Sequence, residues 1–137
     1  LDLDLALKQT NENPVYYAQY AHARINSIFN TAIGKGYDPK ELTDSFESIT
    51  SDKAFELISL LGAYPDSIKQ AALIRAPHRI TNYINSLASA FHSFYNDEQV
   101  ITTDQTTTMQ RLTLLNATKI VLKNALELVG VSAPNKM

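Results

Sequence analysis

PHRITNYINSLASAFHSFYNDE, residues 77–98, is the stretch from which the fold class of this chain follows. Apolar residues recur in it at spacings of four, three, four and three, which is typical of a helix face packed in a bundle. These residues are Ile80, Ile84, Leu87, Phe91 and Phe94. Pro77 separates this helix from the one before it, and residues 96–98 end it. The pattern predicts a long helix with a continuous apolar seam.

The sequence before this helix also has a helical period. Asn13 as N-cap and Pro14 at the first helical position predict a helix that runs to about Ile33, before the break at residues 34–36. A polar connection over 37–50 follows, with a turn of helix after Asp38-Pro39. Thr50 or Ser51 then caps a helix that Gly62 ends, and Tyr64-Pro65 begins the next, which continues to Arg75. In the first of these two helices the residues at helical spacing are Phe55, Ile58 and Leu61.

A last helix is expected from about Thr106 to Val129, with Gly130 as its C-cap. Its inward residues are expected to be Leu112, Leu115, Leu122, Leu126 and Val129. The terminal segment 131–137 follows, and Leu126, Leu128, Val129 and Val131 are candidates for tying it to the bundle. Stretches that alternate with period two are too few for a sheet. We therefore expect an all-α, antiparallel bundle of about five helices.

The composition of the chain excludes several kinds of functional site. The chain has 137 residues, one domain's worth, with 45% apolar and 19% charged residues, as in ordinary soluble domains. It has no cysteine, which excludes disulfides and thiolate chemistry and fits a cytoplasmic location. It opens at Leu1 without a methionine, which suggests a piece of a longer protein. No apolar run approaches a membrane span, and no glycine-rich phosphate loop is present.

Charge is unevenly distributed along the chain. The formal net charge is −2, which alone argues against general nucleic-acid binding. Residues 1–66 carry 5 basic and 10 acidic side chains, and residues 67–137 carry 7 basic and 4 acidic ones. The second half is therefore compatible with a phosphate backbone, although a solvated surface of mixed sign explains the same counts.

Metal and hydrolytic sites are disfavoured. The three histidines are His22, His78 and His92, and the last two lie 14 residues apart on one predicted helix, far from the i, i+4 spacing of a helical metal pair. His92, Ser93 and Asp97 contain the residue types of a hydrolytic set, but neighbouring residues on a helix point in different directions. No metal site and no catalytic residue is therefore expected.

The first predicted helix opens with NPVYYAQYAHARI, residues 13–25. Tyr17, Tyr20, Ala21 and Arg24 fall at i, i+3, i+4 and i+7 and share one face. Aromatic rings beside a guanidinium can stack on nucleic-acid bases and contact base edges or phosphates. The same face also suits core packing. In that case Arg24 needs a buried anion as its partner.

Three segments of the sequence resemble one family. The first segment is residues 13–24, the second is residues 77–95, and the third is Arg111-Leu112 with 122–131, Ala133-Pro134 and Met137. All three are similar to the DALR-type anticodon-binding domain of arginyl-tRNA synthetases, which are class I aminoacyl-tRNA synthetases. They occur in family order and span nearly the whole chain. The resemblance implies an anticodon-binding helical domain over 13–137, with residues 1–12 as the join from a catalytic domain.

The resemblance also implies site residues and partners. Anticodon-loop bases of tRNA(Arg) would bind at Tyr17, Tyr20, Arg24, Phe94, Tyr95 and Met137. Periodicity alone places Phe94 in the core and leaves Tyr95 at the edge of the seam. Gln19 and His22 face away from Tyr17 and Arg24, and we expect them to bond to a neighbouring element.

The catalytic parts of that family are not in this sequence. Arginine activation in the family uses ATP with Mg in a catalytic domain that carries HIGH-like and KMSKS-like motifs, and neither motif occurs here. We therefore expect no bound cofactor and no ligase activity from this chain alone, and a monomer with no membrane contact.

Two alternatives stay open on the sequence. One is the anticodon-binding bundle of another class I synthetase. The other is a helical protein-interaction module without an RNA role, which predicts buried Tyr17 and Tyr20 and an Arg24 paired with a carboxylate such as Asp104 or Glu127.

Overall fold

The computed structural model describes residues 13–137, so the predicted join at 1–12 lies outside the described residues. Over this range the chain forms five α-helices and no strand. The helices are α1 (Tyr16–Gly34), α2 (Asp52–Gly62), α3 (Tyr64–Leu73), α4 (His78–Asp97) and α5 (Gln105–Leu128), with a 3₁₀ turn at Pro39–Glu41. The all-α, five-helix fold predicted from the sequence is confirmed, including the helical turn after Asp38-Pro39.

The fourth helix is the centre of the bundle. It packs against each of the other four helices. Four of its seam residues are fully buried, namely Ile84, Leu87, Phe91 and Phe94, and Ile80 is half-buried against them. Burial of a large apolar side chain contributes about 1.5–3 kcal/mol, so this seam is a principal source of the bundle's stability.

Contacts at the helix ends show how the helices run. Asn85 Nδ2 on α4 donates to the carbonyl oxygen of Pro14, just before α1, at 2.8 Å. Further along both helices Arg24 lies against Tyr95. Helices α1 and α4 therefore run side by side in the same direction. Helix α5 returns antiparallel to α4, and Arg111 near its start pairs with Glu98 at the end of α4 at 3.4 Å.

The helix ends follow the predicted signals in most cases. Ser51 caps α2, because its Oγ accepts a hydrogen bond from the Ala54 amide at 3.1 Å. Gly130 has φ +76°, and the Gly130 and Val131 amides donate to the carbonyls of Glu127 and Leu126, which is a Schellman ending of α5. The Gly130 C-cap prediction is confirmed.

The predicted start of the first helix is wrong by about two residues. Helix α1 begins at Tyr16, and Val15 occupies the N-cap position without a side-chain cap. The Asn13 side chain instead accepts from the Val15 amide at 3.2 Å, two residues ahead, as in an Asx turn. An asparagine that bonds the backbone two residues on serves a turn as well as a cap, which is why the sequence signal was ambiguous.

Two of the apolar residues that mark the helical period of α2 are exposed. In α2, Ala54 and Leu57 are buried, whereas Phe55 and Ile58 are exposed, so the residues that mark the helical period lie largely outside the core. In α5, four of the five predicted leucine and valine positions are buried and Val129 is half-buried. Leu128 is exposed and does not tie down the terminal segment, whereas Val131 packs against the core.

Residues 13–137 include no helix with both the length and the apolar character that crossing a membrane requires.

Candidate nucleic-acid interface

Helices α1 and α4 together build an aromatic surface that carries one cation. The ring centroids of Tyr17 and Tyr20 lie 4.8 Å and 5.6 Å from that of His92, and the Tyr20 ring is nearly parallel to it, at 20°. The Arg24 guanidinium carbon lies 4.3 Å from the centroid of Tyr95, and Arg24 Nη1 donates to the Tyr20 hydroxyl at 3.1 Å. We call Tyr17, Tyr20, Arg24 and Tyr95 the tyrosine face.

Each side chain of the tyrosine face is half-buried, so each has one packed side and one side toward solvent. Burial raises the pKa of Tyr17, while the nearby Arg24 charge lowers it by a smaller amount, so the hydroxyl stays protonated at neutral pH. The face therefore offers flat rings, hydroxyl donors and a guanidinium to a ligand. These are the groups that stack on splayed bases and hydrogen-bond to them.

Arg24 has no carboxylate partner among residues 13–137. Within residues 13–137 the only salt bridge joins Arg111 and Glu98. Asp104 accepts from the Thr107 hydroxyl at 2.6 Å at the start of α5, and Glu127 is exposed. The signatures of a protein-interaction module, buried tyrosines and an Arg24–carboxylate pair, are thus not found in this part of the chain.

His92 supports the tyrosine face from below. Its side chain is 3% exposed and contacts Tyr17, Tyr20 and Phe91, the last at 4.9 Å between centroids. Burial, with a smaller contribution from the Arg24 charge, lowers the pKa of His92 from 6.5 to about 4. The ring is therefore neutral at pH 7 and places no second cation beneath Arg24.

The role of His92 does not follow from the sequence patterns of metal ligands and hydrolytic sets, which are the two patterns that include it. The described residues contain no group of three or more His, Cys, Asp or Glu side chains that could hold a metal ion. One signal was available, because His92 lies three residues before Tyr95, which puts both on one side of a helix.

Phe94 corrects the predicted set of site residues. Its side chain is 0% exposed and lies in the core, as the seam spacing indicates, so it offers no surface to a ligand. Tyr95, the next residue, is half-buried and stacks on Phe91 at 5.9 Å as well as on Arg24. Neighbouring residues on a helix point about 100° apart, which separates the two roles.

The opposite side of α1 holds the terminal segment. Gln19 Nε2 donates to the Ser132 carbonyl at 2.9 Å, and Asn26 Nδ2 donates to that of Asn135 at 3.2 Å. His22 Nδ1 lies 2.8 Å from the Pro134 carbonyl, and because a carbonyl only accepts, this nitrogen carries the proton. Burial lowers the pKa of His22, which keeps the ring neutral. The predicted structural roles of Gln19 and His22 are confirmed.

Met137 is 44% exposed at the end of this segment. The polar contacts of residues 132–135 are all to the Gln19 side of α1, away from Tyr17, Tyr20 and Arg24. A position for Met137 at the tyrosine face therefore stays a prediction.

Comparison with known proteins gives a consistent result. The model of the DALR anticodon binding domain matches residues 18–137. The chain is 54% identical to an arginine–tRNA ligase of Bacillus pumilus over 99% of its own length and 25% of that ligase. It is 52% identical to the arginine–tRNA ligase of Bacillus subtilis, of which it covers 24%. The chain thus spans about a quarter of the length of these curated relatives.

A solved structure supports the fold. The arginyl-tRNA synthetase of Thermus thermophilus superposes with a TM-score of 0.74 at 28% sequence identity, over 88% of this chain and 21% of that one. The family match covers well over half of the chain, and the predicted resemblance is confirmed. This chain belongs to the DALR anticodon binding domain family.

Proposed function

We propose that this chain is the carboxy-terminal anticodon-recognition domain of an arginine–tRNA ligase, and that the tyrosine face binds bases of the tRNA(Arg) anticodon loop. The observation that carries the proposal is the set of contacts made by the Arg24 guanidinium. Its guanidinium is stacked on Tyr95 and bonded to the Tyr20 hydroxyl, and no carboxylate among residues 13–137 neutralises it. A half-buried cation between aromatic rings is well suited to a planar ligand with acceptor edges and a nearby negative charge.

The proposed binding mode is stacking combined with one charged contact. Bases of an RNA loop are unstacked, and each base that stacks on an aromatic side chain contributes about 1–3 kcal/mol. Tyr17 and Tyr20 supply the rings, and Arg24 reaches a base acceptor edge or a phosphate. His92 holds both tyrosine rings from behind, so less side-chain entropy is lost when RNA binds.

The chemistry of the ligase belongs to a catalytic domain outside this sequence. We propose that the catalytic domain activates arginine with ATP and Mg and transfers it to the tRNA. The present chain contributes tRNA selection, acts within a monomeric cytoplasmic enzyme, and has no aminoacylation activity alone. Binding energy from the anticodon is then used by the whole enzyme to place its tRNA.

The test is a titration of this chain with an arginine anticodon stem-loop at about 50 mM salt, because binding to phosphates weakens steeply as salt rises. The same hairpin with its middle anticodon base changed is the control. We expect discrimination of about tenfold, which is ~1.4 kcal/mol. With a net charge of −2 the absolute affinity is expected to be weak. A folded chain that binds both hairpins equally well would contradict the proposal.

A further inference from the structure

The face of α1 that carries Tyr17, Tyr20 and Arg24 continues toward the end of this helix, past the point where Arg24 contacts Tyr95 of α4. Ile28, Thr31 and Lys35 follow Arg24 at spacings of four, three and four, so they extend the same side of the helix. A cavity of about 430 Å³ lies between these residues and the segment after α4. We call this cavity the Lys35 groove, and its lining includes Ile28, Thr31, Lys35, Tyr95, Gln99 and Ile101.

We infer that the Lys35 groove binds an unpaired nucleotide of the anticodon loop, next to the bases held at the tyrosine face. The inference rests on the proposed function and extends it from the anticodon bases to a neighbouring nucleotide. Three observations carry it, namely the lining of the groove, its charge and its continuity with the tyrosine face.

The lining of the groove suits a nucleotide. Ile28 and Ile101 provide apolar walls, and Val100, whose side chain is 3% exposed, provides a buried apolar floor. The amides of Asn96 and Gln99 supply both donors and acceptors at the rim. Ligand sites of about 300–1,000 Å³ with apolar walls and a few polar groups are the usual kind of small-ligand pocket, and a base with its sugar is a ligand of this type.

Lys35 gives the groove a positive charge, which suits a phosphate group. Glu98 also lines the cavity, but its carboxylate pairs with Arg111 at 3.4 Å. Lys35 is in no salt bridge within residues 13–137. Arg111 also donates to the Gln99 carbonyl, which fixes the backbone of the segment after α4. The groove therefore combines a fixed wall with one ammonium group that no carboxylate of residues 13–137 pairs.

The groove is continuous with the tyrosine face through Tyr95, whose ring contacts Arg24 and also lines the cavity. Lys35 lies eleven residues beyond Arg24, or about 16 Å along the helix axis, so the groove reaches past the site of a single stacked base. A second cavity of about 370 Å³ shares Lys35, Gln99 and Ile101 and extends to Tyr37. An RNA strand bound at the tyrosine face thus has a path along α1.

The experiment uses Lys35→Ala and Gln99→Ala, with Lys53→Ala on the exposed surface of α2 as the matched control. Each protein is titrated with the intact hairpin, with the hairpin altered at its middle anticodon base, and with hairpins in which one loop nucleotide outside the anticodon is abasic. Circular dichroism verifies that each variant is folded.

We expect Lys35→Ala and Gln99→Ala to bind the intact hairpin three- to tenfold more weakly and to keep the discrimination of the middle base. For Lys35→Ala the slope of log affinity against log salt is expected to fall by about one, whereas Lys53→Ala behaves as wild type. One abasic hairpin is expected to bind the wild type more weakly and to lose no further affinity with Gln99→Ala, whereas Lys35→Ala still weakens its binding because an abasic nucleotide keeps its phosphate.

Two other results have distinct meanings. If the wild type discriminates the middle base but the groove variants bind every hairpin as the wild type does, the groove inference is overturned and the proposed function stands. If the folded wild type does not discriminate the middle base, the proposed function fails and the groove inference falls with it.

Discussion

The guanidinium of Arg24 lies over the ring of Tyr95, with its central carbon 4.3 Å from the ring centroid. The contact joins α1 to the end of α4 and packs one side of the guanidinium, which has no carboxylate partner among residues 13–137. A cation over an aromatic face gains about 0.5–2 kcal/mol, less than the interaction with a fully paired anion. Arg24 is therefore held in position and still able to bind an anionic or acceptor-rich ligand.

Tyr20 contributes both a ring and a hydroxyl to the tyrosine face. Tyr20→Phe keeps the ring against His92 but removes the acceptor for Arg24 Nη1, so we expect a loss of about 1 kcal/mol in hairpin binding. Tyr20→Ala also removes the stacking surface and is expected to cost about 1–3 kcal/mol more. The measurement is a hairpin titration, with Tyr64→Phe on α3 as the control. Wild-type affinity in both Tyr20 variants would exclude the residue from the interface.

His92 makes the stability of the fold depend on pH. Its pKa is about 4 in the folded chain and 6.5 in the unfolded one. Between these values the unfolded chain binds a proton that the folded chain does not, so stability falls as the pH decreases from about 6.5 toward 4. We expect a loss of about 2 kcal/mol from pH 7 to pH 5.

Urea denaturation at the two pH values measures this loss. In His92→Phe the dependence should become shallower, with a remainder of the same sign from His22, whose pKa is also lowered. A variant with the pH dependence of the wild type would show that His92 is not the titrating group.

Gln19 is expected to matter for stability and not for RNA binding. Its amide bonds both Asn13 and the Ser132 carbonyl, and it lies on the side of α1 away from the tyrosine face. Gln19→Ala should lower the free energy of unfolding by about 1 kcal/mol, with the exposed Gln70→Ala as the control. Hairpin discrimination should stay unchanged. A Gln19→Ala variant of normal stability that loses discrimination would reverse this assignment.

A role for Met137 in anticodon binding is predicted from the family resemblance alone. If its side chain reaches RNA bound at the tyrosine face, Met137→Ala lowers hairpin affinity by about 1 kcal/mol. The free energy of unfolding should stay unchanged, because the side chain is exposed in the free chain. Lys136→Ala measures the contribution of the terminal charge in the same titration. Unaltered binding by Met137→Ala would leave the terminal segment with a structural role alone.

The fold was largely predictable because its signals are local. The period of residues 80–94 and the caps at Ser51 and Gly130 depend on neighbours in sequence, and the structure has them where they were expected. The exposure of Phe55 in place of Ala54 was not predictable. Both faces of α2 carry residues at helical spacing, and the position of α4 decides which face is covered.

The site was predictable only along a single helix. The spacing of Tyr17, Tyr20 and Arg24 places them on one face without any knowledge of the fold. Their contacts with His92 and Tyr95 come from α4, far away in sequence, and depend on how two helices pack. Phe94 is a different case, because its local seam spacing places it correctly in the core, whereas the resemblance places it at the site.

The most direct test of the account combines Arg24→Ala with the change of the middle anticodon base. Wild type and variant are titrated with both hairpins at about 50 mM salt, and circular dichroism verifies equal helix content. We predict that the roughly tenfold discrimination of the wild type is largely lost in Arg24→Ala, which is a coupling of about 1.4 kcal/mol between residue and base. A folded Arg24→Ala variant that binds as tightly and discriminates as well as the wild type would contradict the assignment of anticodon recognition to the tyrosine face.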